Sequence, residues 1–330
     1  PVICTIWCAK AAGNIVSAIP YAVWALFFAL LFTALNLRRI ESTARTNQIL
    51  ALAMGAVILW MIYATFRHVA AQASLPPGFF LKPFYDPEHF SWKTFSAGTS
   101  LAVLTYIGFD ALSTLSEEVH NPRRNILLGT VLTCLLIGIL SAIECYAAQL
   151  IWPVGEKFPD IDTAYVHVAG RAGGPWLFQT INLTLLIATI GSGSGAQGAG
   201  ARLLFGMGRD ESLPKSFFGF IHPRSGVPSR NIILIGGLAL TGAFAMSYET
   251  GAELLNFGAF IGFMGVNLAV LRHYGFRPIS LLGFLLCLYL WISLSTLAKF
   301  AGLAWLAVGL AYGAWKTGGF KKPFASFAVE

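Results

Sequence analysis

Charge is what this chain has least of: 11% of its 330 residues are Asp, Glu, Lys or Arg. With 56% hydrophobic residues and a mean hydropathy of +0.68, that scarcity excludes an ordinary soluble domain, which needs charge to cover its surface. Cysteine is sparse too. None of the five cysteines has a His at ligand spacing, and Cys134, Cys145 and Cys287 fall inside apolar runs, so neither a metal centre nor a structural disulfide is expected. Cys4 and Cys8 would share a helix face, but two thiols alone make a poor metal site. The six His residues scatter over loops and run ends, and no Ser–Lys pair lies inside an apolar run. A membrane-embedded acyltransferase or hydrolase would therefore lack its nucleophile and base, and the chain reads as no enzyme. Nor is there a phosphate-cradling glycine loop or a low-complexity tail, and nothing implies a cofactor.

What is present in quantity is long apolar stretches. Runs of about 18 or more apolar residues span a bilayer as helices. Nine such spans are expected at 20–37, 48–66, 94–116, 125–149, 176–205, 231–246, 252–271, 278–297 and 300–315, with residues 2–8 as the tail of a tenth. The fold class is thus an all-α polytopic membrane protein. Two longer loops, 67–93 and 151–175, are rich in Pro, Gly and aromatics and read as ordered caps over a vestibule or as solvated linkers. The connection 206–230 is punctuated by Pro214, Pro223 and Pro228; its Phe217, Phe218 and Phe220 point to a path along the membrane surface.

The net charge of +7 does not form a nucleic-acid patch but sorts by side of the membrane. Fourteen Lys and Arg follow the odd-numbered spans, among them Arg38, Arg123, Arg224 and Lys316, against six in the opposite loops. The positive-inside rule makes the first face cytoplasmic, with the C-terminus on that side. The chain opens at Pro1 without a signal-peptide pattern, so it is expected to be a fragment preceded by an odd number of helices.

One span carries the wrong residues at mid-depth: "TYIGFDALSTLSEEVHNPRRN", 105–125. A carboxylate at a helix centre in lipid costs about 2.5–3.5 kcal/mol, so Asp110 should face protein or water. A substrate or proton site is the stronger reading; a structural hydrogen bond to a neighbouring helix is the alternative. Gly108 lowers helix propensity where Thr105, Tyr106, Ser113, Thr114 and Ser116 offer other hydrogen-bond partners. A break here frees the carbonyls of Thr105, Tyr106 and Ile107 and the N–H groups of Ala111 and Leu112. Such half-helix ends bind ammonium and carboxylate groups respectively.

The same stretch resembles the sixth-helix signature of the amino acid, polyamine and organocation (APC) transporter superfamily. "LNLRRIESTARTNQI" is similar to that family's fourth-to-fifth-helix turn, "ARLLFGMGRDESLPKSF" with "SGVPSRN" to its eighth-to-ninth connection, and "NFGAFIGFMGVNLAVLR" to its tenth helix. The resemblance implies an inverted-repeat fold of the leucine-transporter type, N-terminally truncated, with 1–330 as one partial transporter domain. Residues 1–19 would be the end of a preceding helix or an outer loop, 20–66 helices four and five, 94–271 helices six to ten, and 278–315 helices eleven and twelve.

It further implies a secondary transporter that moves an amino acid or small amine across the cytoplasmic membrane by alternating access. Residues Leu104, Thr105, Tyr106, Ile107, Gly108, Phe109 and Asp110 carry the helix-six half of the site. Leu104 would gate, Ile107 and Gly108 would offer backbone to the substrate amine, and Asp110 would be the ionisable member. The helix-one half would lie outside this chain, so the fragment should not transport alone. Proton coupling or exchange is implied ahead of sodium, although the helix-five lysine of some proton-driven members falls at Met54 here. Partners are the substrate, membrane lipid and a second copy in a homodimer, with no nucleic acid.

Ser192 and Ser194, in "IGSGSGAQGAG", could line an ion site, but small residues at spacing four (Gly191, Gly195, Ala199) more simply allow close helix packing. Glu144 could neutralise a cationic substrate or snorkel to the interface beside Tyr146 and Gln149. Asn256 is a further path-lining candidate. Arg202 reads as an inner-gate or structural charge that snorkels to the interface or pairs with Glu117 or Glu118. The rival classes are the membrane enzyme, already short of its catalytic pair, and a non-transporting scaffold, which would need no Asp110 beside a glycine break.

Overall fold

Proline and glycine punctuate the helices. Pro20 stands extended before the helix Tyr21–Leu37 (α2), which follows Val2–Ile15 (α1). Asn121, in the left-handed region at φ 52°, and Pro122 at the first helical position launch Pro122–Ile151 (α5). Gly275 at φ 74° follows Tyr248–Tyr274 (α9), and Pro278 opens Pro278–Ile292 (α10). The last long helix, Thr296–Thr317 (α11), ends in Gly318 and Gly319, both at positive φ, and the Gly319 N–H returns to the Ala314 carbonyl at 2.7 Å. Glycine satisfies a helix end this way because it has no Cβ to strain the left-handed turn.

The computed structural model describes residues 1–38, 44–109, 112, 119–319 and 321, and they form an all-helical protein. The remaining elements are Ala44–Ala70 (α3), Trp92–Ala102 (α4) running into a 3₁₀ turn Val103–Tyr106, Ala164–Arg209 (α6), Lys215–Phe218 (α7) and Ser229–Ala245 (α8). Among the described residues, α3, α5, α6, α9 and α11 are long and apolar enough to cross a membrane; α1, α2, α8 and α10 are shorter apolar helices. In α5 the most apolar window has a mean hydropathy of 2.6 and buries none of its residues in protein. An apolar surface of that kind needs lipid around it.

The chain divides into two compact units. Unit 1 comprises Pro1–His68, Lys157–Gly251 and Trp305–Glu330, and its centre is α1, α2, α6 and α8. Their seam is built from small residues and rings: Cys8, Ala12, Phe28 and Phe32 form a buried cluster backed by Trp24, Leu186 and Ile190. A Cβ on Gly193 of α6 would sit 2.7 Å from the Phe32 ring, and one on Gly236 of α8 would run into the Thr33 hydroxyl. Gln197, fully buried, ties three helices by donating to Thr33 Oγ1 and to the Ile232 carbonyl, both at 2.9 Å.

The connection after α6 is held by α8. Asn231 donates to the Phe218 carbonyl at 2.8 Å, and Arg230 donates to the Ser216 carbonyl at 2.7 Å while lying 4.1 Å from the Phe220 ring centroid. The expected loop 151–175 differs from the structure, since helix begins at Ala164 and is interrupted at Gly174 (φ 75°, ψ −167°) before Pro175. "AYVHVA" is a good helical run, and only the Gly–Gly–Pro sequence that follows forces the break.

Unit 2 comprises Val69–Glu156 and Ala252–Ala304. Phe257, Phe260 and Leu294 form its buried cluster, with Val103, Cys287 and Trp291 packed against it; the Phe257 and Trp291 rings lie 5.5 Å apart. At the α10–α11 turn, the Ser295 N–H donates to Glu253 Oε1 at 3.2 Å and the Ser295 hydroxyl donates to Glu253 Oε2. The loop ahead of α4 is tied down by Tyr146, whose hydroxyl donates to the Phe80 carbonyl at 3.2 Å and whose ring meets Phe84 at 5.1 Å.

Candidate functional site

Within unit 2 the span beginning at α4 does not continue as a helix. The α-helix ends at Ala102, tightens to a 3₁₀ turn through Tyr106, opens at Ile107 (φ −61°, ψ 125°) and reverses hand at Gly108 (φ 113°). The sequence places the break at Thr105–Asp110; the α-helix gives way two residues earlier, at Val103. The Thr105 hydroxyl donates to the Ala102 carbonyl at 2.8 Å, and the Ile107 N–H donates to the Leu104 carbonyl at 3.2 Å. These local bonds replace the α-helical ladder.

Two neighbours hold this broken segment. Asn256 of α9 has no exposure to solvent and donates its amide N–H to the carbonyls of Ser100 (2.9 Å) and Leu101 (3.4 Å). A change from i−4 to i−3 bonding skips one carbonyl at the junction, and Asn256 supplies a donor there. Ser100 in turn donates its hydroxyl to the Leu290 carbonyl of α10 at 2.9 Å, and Ser96 bonds the Tyr289 hydroxyl. The Asn256 carbonyl oxygen is buried without a partner among the described residues.

On the other side, Tyr106 turns its hydroxyl onto Gly138 of α5, where a Cβ would come within 2.5 Å of it. Phe109 packs on Phe263 at 5.5 Å between centroids. Leu104 and Ile107 are half-buried. Asp110, Ala111, Ser113, Thr114 and Ser116, with Glu117 and Glu118, lie outside the described residues.

The other candidates are dispersed. In unit 1, Ser194 accepts from Asn36 Nδ2 through both its carbonyl (3.0 Å) and its hydroxyl (3.3 Å), and Ser192 lies 4.0 Å from the Cys4 sulfur. Tight packing does occur on this helix, but at Gly193 against Phe32 and at Gly198 against the Asn36 side chain; among the described residues Gly191 and Gly195 meet nothing within 4 Å. The spacing-four reading therefore selects the wrong face. Which face of a glycine-rich helix is covered depends on where the neighbour's large side chains fall, and α2 places Phe32 and Asn36 there. Glu144 of α5 is half-buried and makes no hydrogen bond or ion pair among the described residues. Arg202 lines a cavity of about 200 Å³ with Asn36, Gly198 and Val227.

Because Asn36 keeps its bonds to the Ser194 and Phe32 carbonyls, Ser194→Ala should cost under about 1 kcal/mol and leave uptake and its sodium response unchanged. Thermal denaturation and uptake in sodium-free buffer check this; loss of a sodium-dependent component would restore the ion-site reading.

The family profile described as amino acid permease matches residues 3–328. The chain belongs to that family. The permease is 32% identical over 337 residues to the low-affinity putrescine importer PlaP of Escherichia coli K12, covering 95% of this chain and 72% of that protein. It is 31% identical over 194 residues to the vacuolar cationic amino acid transporter 4 of Arabidopsis thaliana, covering 59% of this chain and 32% of that one. To the methylthioribose transporter of Bacillus subtilis strain 168 it is 28% identical, over 91% of this chain and 65% of that protein. The permease is a multi-pass membrane transporter and not an enzyme.

Sequence reading passes over two features of the permease. Tyr106 and Gly138 meet across 31 intervening residues, and one small residue in an apolar run is a weak signal. Lys10 was the stronger one, a lone ammonium in the 14-residue apolar helix α1, and it pairs with Asp160 at 3.0 Å and Asp162 at 3.6 Å.

Proposed function

We propose that the permease moves a small amine, an amino acid or an aliphatic polyamine, across the bacterial cytoplasmic membrane by alternating access around the broken segment 103–109. The observation that carries this reading is the loss of α-helix at Ala102 and the reversal at Gly108 inside an apolar span. Open backbone at membrane depth is tolerated where it lines a pathway. Leu104 to Phe109 then present backbone groups to the substrate amine, and Asp110 supplies the negative charge that an ammonium requires. The names of relatives, a putrescine importer and a cationic amino acid transporter, support an amine cargo. With Met54 where some proton-driven members carry a lysine, exchange or coupling through protonation of a carboxylate fits better than a lysine-gated scheme. The charge distribution of the loops supports a cytoplasmic C-terminus.

Uptake of labelled amino acids and diamines by proteoliposomes of the full-length protein, with and without a pH gradient, tests this directly. Asp110→Asn is expected to lower uptake of amine cargo about tenfold or more, the cost of one unpaired ammonium in a low-dielectric site. Absence of amine uptake under every gradient would sink the reading; unchanged uptake by the variant would remove Asp110 from the site and keep the rest.

A further inference from the structure

Unit 1 contains an ammonium already bound. The Lys10 Nζ lies 3.0 Å from Asp160 Oδ2 and 3.6 Å from Asp162 Oδ2, and 6.0 Å from the Tyr21 ring centroid. Trp7, three residues earlier on α1, donates its indole N–H to the Asp162 carbonyl at 2.9 Å and stacks on Tyr248 at 4.6 Å between centroids. Asp160 is itself oriented, its Oδ1 accepting the Asp162 N–H at 3.0 Å. Two carboxylates thus share the Lys10 ammonium, with three rings beside them. Burial pushes the Asp162 carboxyl above its ordinary range and neighbouring Asp160 adds to that push, while Lys10 opposes it.

Paired carboxylates with aromatic faces are the chemistry that recognises alkylammonium ions. Lys10 offers an ammonium on a four-carbon stem, the same stem that carries each ammonium of a 1,4-diamine. Its side chain is 35% exposed, so it can leave to water without breaking a buried contact. Two carboxylates that share one tethered ammonium can each face one end of a dication.

We propose that Asp160 and Asp162, with Trp7, Tyr21 and Tyr248, form a second amine site in which the ammonium of an aliphatic diamine displaces Lys10. This rests on the reading that the permease handles amines, and it adds a station built wholly from unit 1. Lys10 is then a built-in competitor that sets how tightly the station holds its guest.

The test is equilibrium binding of radiolabelled 1,4-diaminobutane to the purified protein in nanodiscs. Lys10→Met is expected to tighten binding about fivefold to tenfold, the scale of one partly buried ion pair. Lys10→Met combined with Asp162→Asn should abolish that gain. Lys10→Arg, a planar fork held more firmly by two carboxylates, should weaken binding and decides the matter should Lys10→Met fail to fold. A purely structural ion pair predicts unchanged or weaker binding in Lys10→Met and no change in Lys10→Arg, and either result overturns the site. Uptake separates the two proposals. Diamine uptake with binding indifferent to Lys10 sinks the site alone, whereas Lys10-dependent binding without uptake sinks the amine-cargo reading and leaves the site standing.

Discussion

Replacing Gly108 with alanine should cut uptake roughly thirtyfold to hundredfold, with no steric clash to account for it. Among the described residues a Cβ at this position meets nothing within 4 Å, so none of them crowds the side chain. What it lacks is the backbone: at φ 113° an L-residue is strained by about 1–3 kcal/mol, and glycine is not. Alanine also favours continuous helix over glycine by about 1 kcal/mol. Both terms push the same way, towards closing the break, and together they deplete the open conformer that the proposed mechanism needs. Gly98 provides the control. It lies on α4, has equal space around it and has ordinary helical backbone, so Gly98→Ala should keep uptake within about twofold. Wild-type rates in Gly108→Ala would show that the break takes no part in transport.

The second large effect is expected at Asn256. Leucine there keeps the volume but removes the donor to the Ser100 and Leu101 carbonyls, leaving the junction of α4 and the 3₁₀ turn short of a hydrogen bond in a fully buried place. Orphaning a buried polar group costs about 1–3 kcal/mol, and losing the unpartnered Asn256 oxygen returns part of it. Asn256→Leu should therefore unfold a few degrees earlier and lower uptake about tenfold. Asn256→Asp is worse, because carboxylate oxygens would face two carbonyl oxygens. Equal behaviour of the two variants would mean that Asn256 fills space rather than holding the end of α4. Thermal unfolding in detergent, read beside initial uptake rates, separates lost stability from lost function.

Much of this was legible along the chain, for reasons local to each element. Apolar runs, the punctuation at Pro20, Asn121–Pro122, Gly275 and Gly318, and the glycine at 108 act over a few residues, so sequence reports them well. The break itself was readable because Gly108 sits among hydroxyls where an apolar span offers no other reason for them. Its onset at Ala102 was not. That depends on Asn256, 154 positions further along, bonding carbonyls whose freedom no local pattern announces. The packing face of "IGSGSGAQGAG" failed in the same way, since Gly191 and Gly195 satisfy the spacing while Phe32 and Asn36 of α2 select Gly193 and Gly198.

Sequence alone therefore determined that this is a multi-span membrane protein of the permease family, which side its charges favour, and where one helix cannot continue. These follow from solvent, charge and backbone freedom, which each residue carries with it. Only the tertiary structure decided which polar groups meet: Asn256 with the end of α4, Gln197 with Thr33, and Lys10 with two carboxylates about 150 residues away. A hydrogen bond or ion pair acts over about 3 Å, and positions that distant in sequence come within that range only when packed helices bring them together.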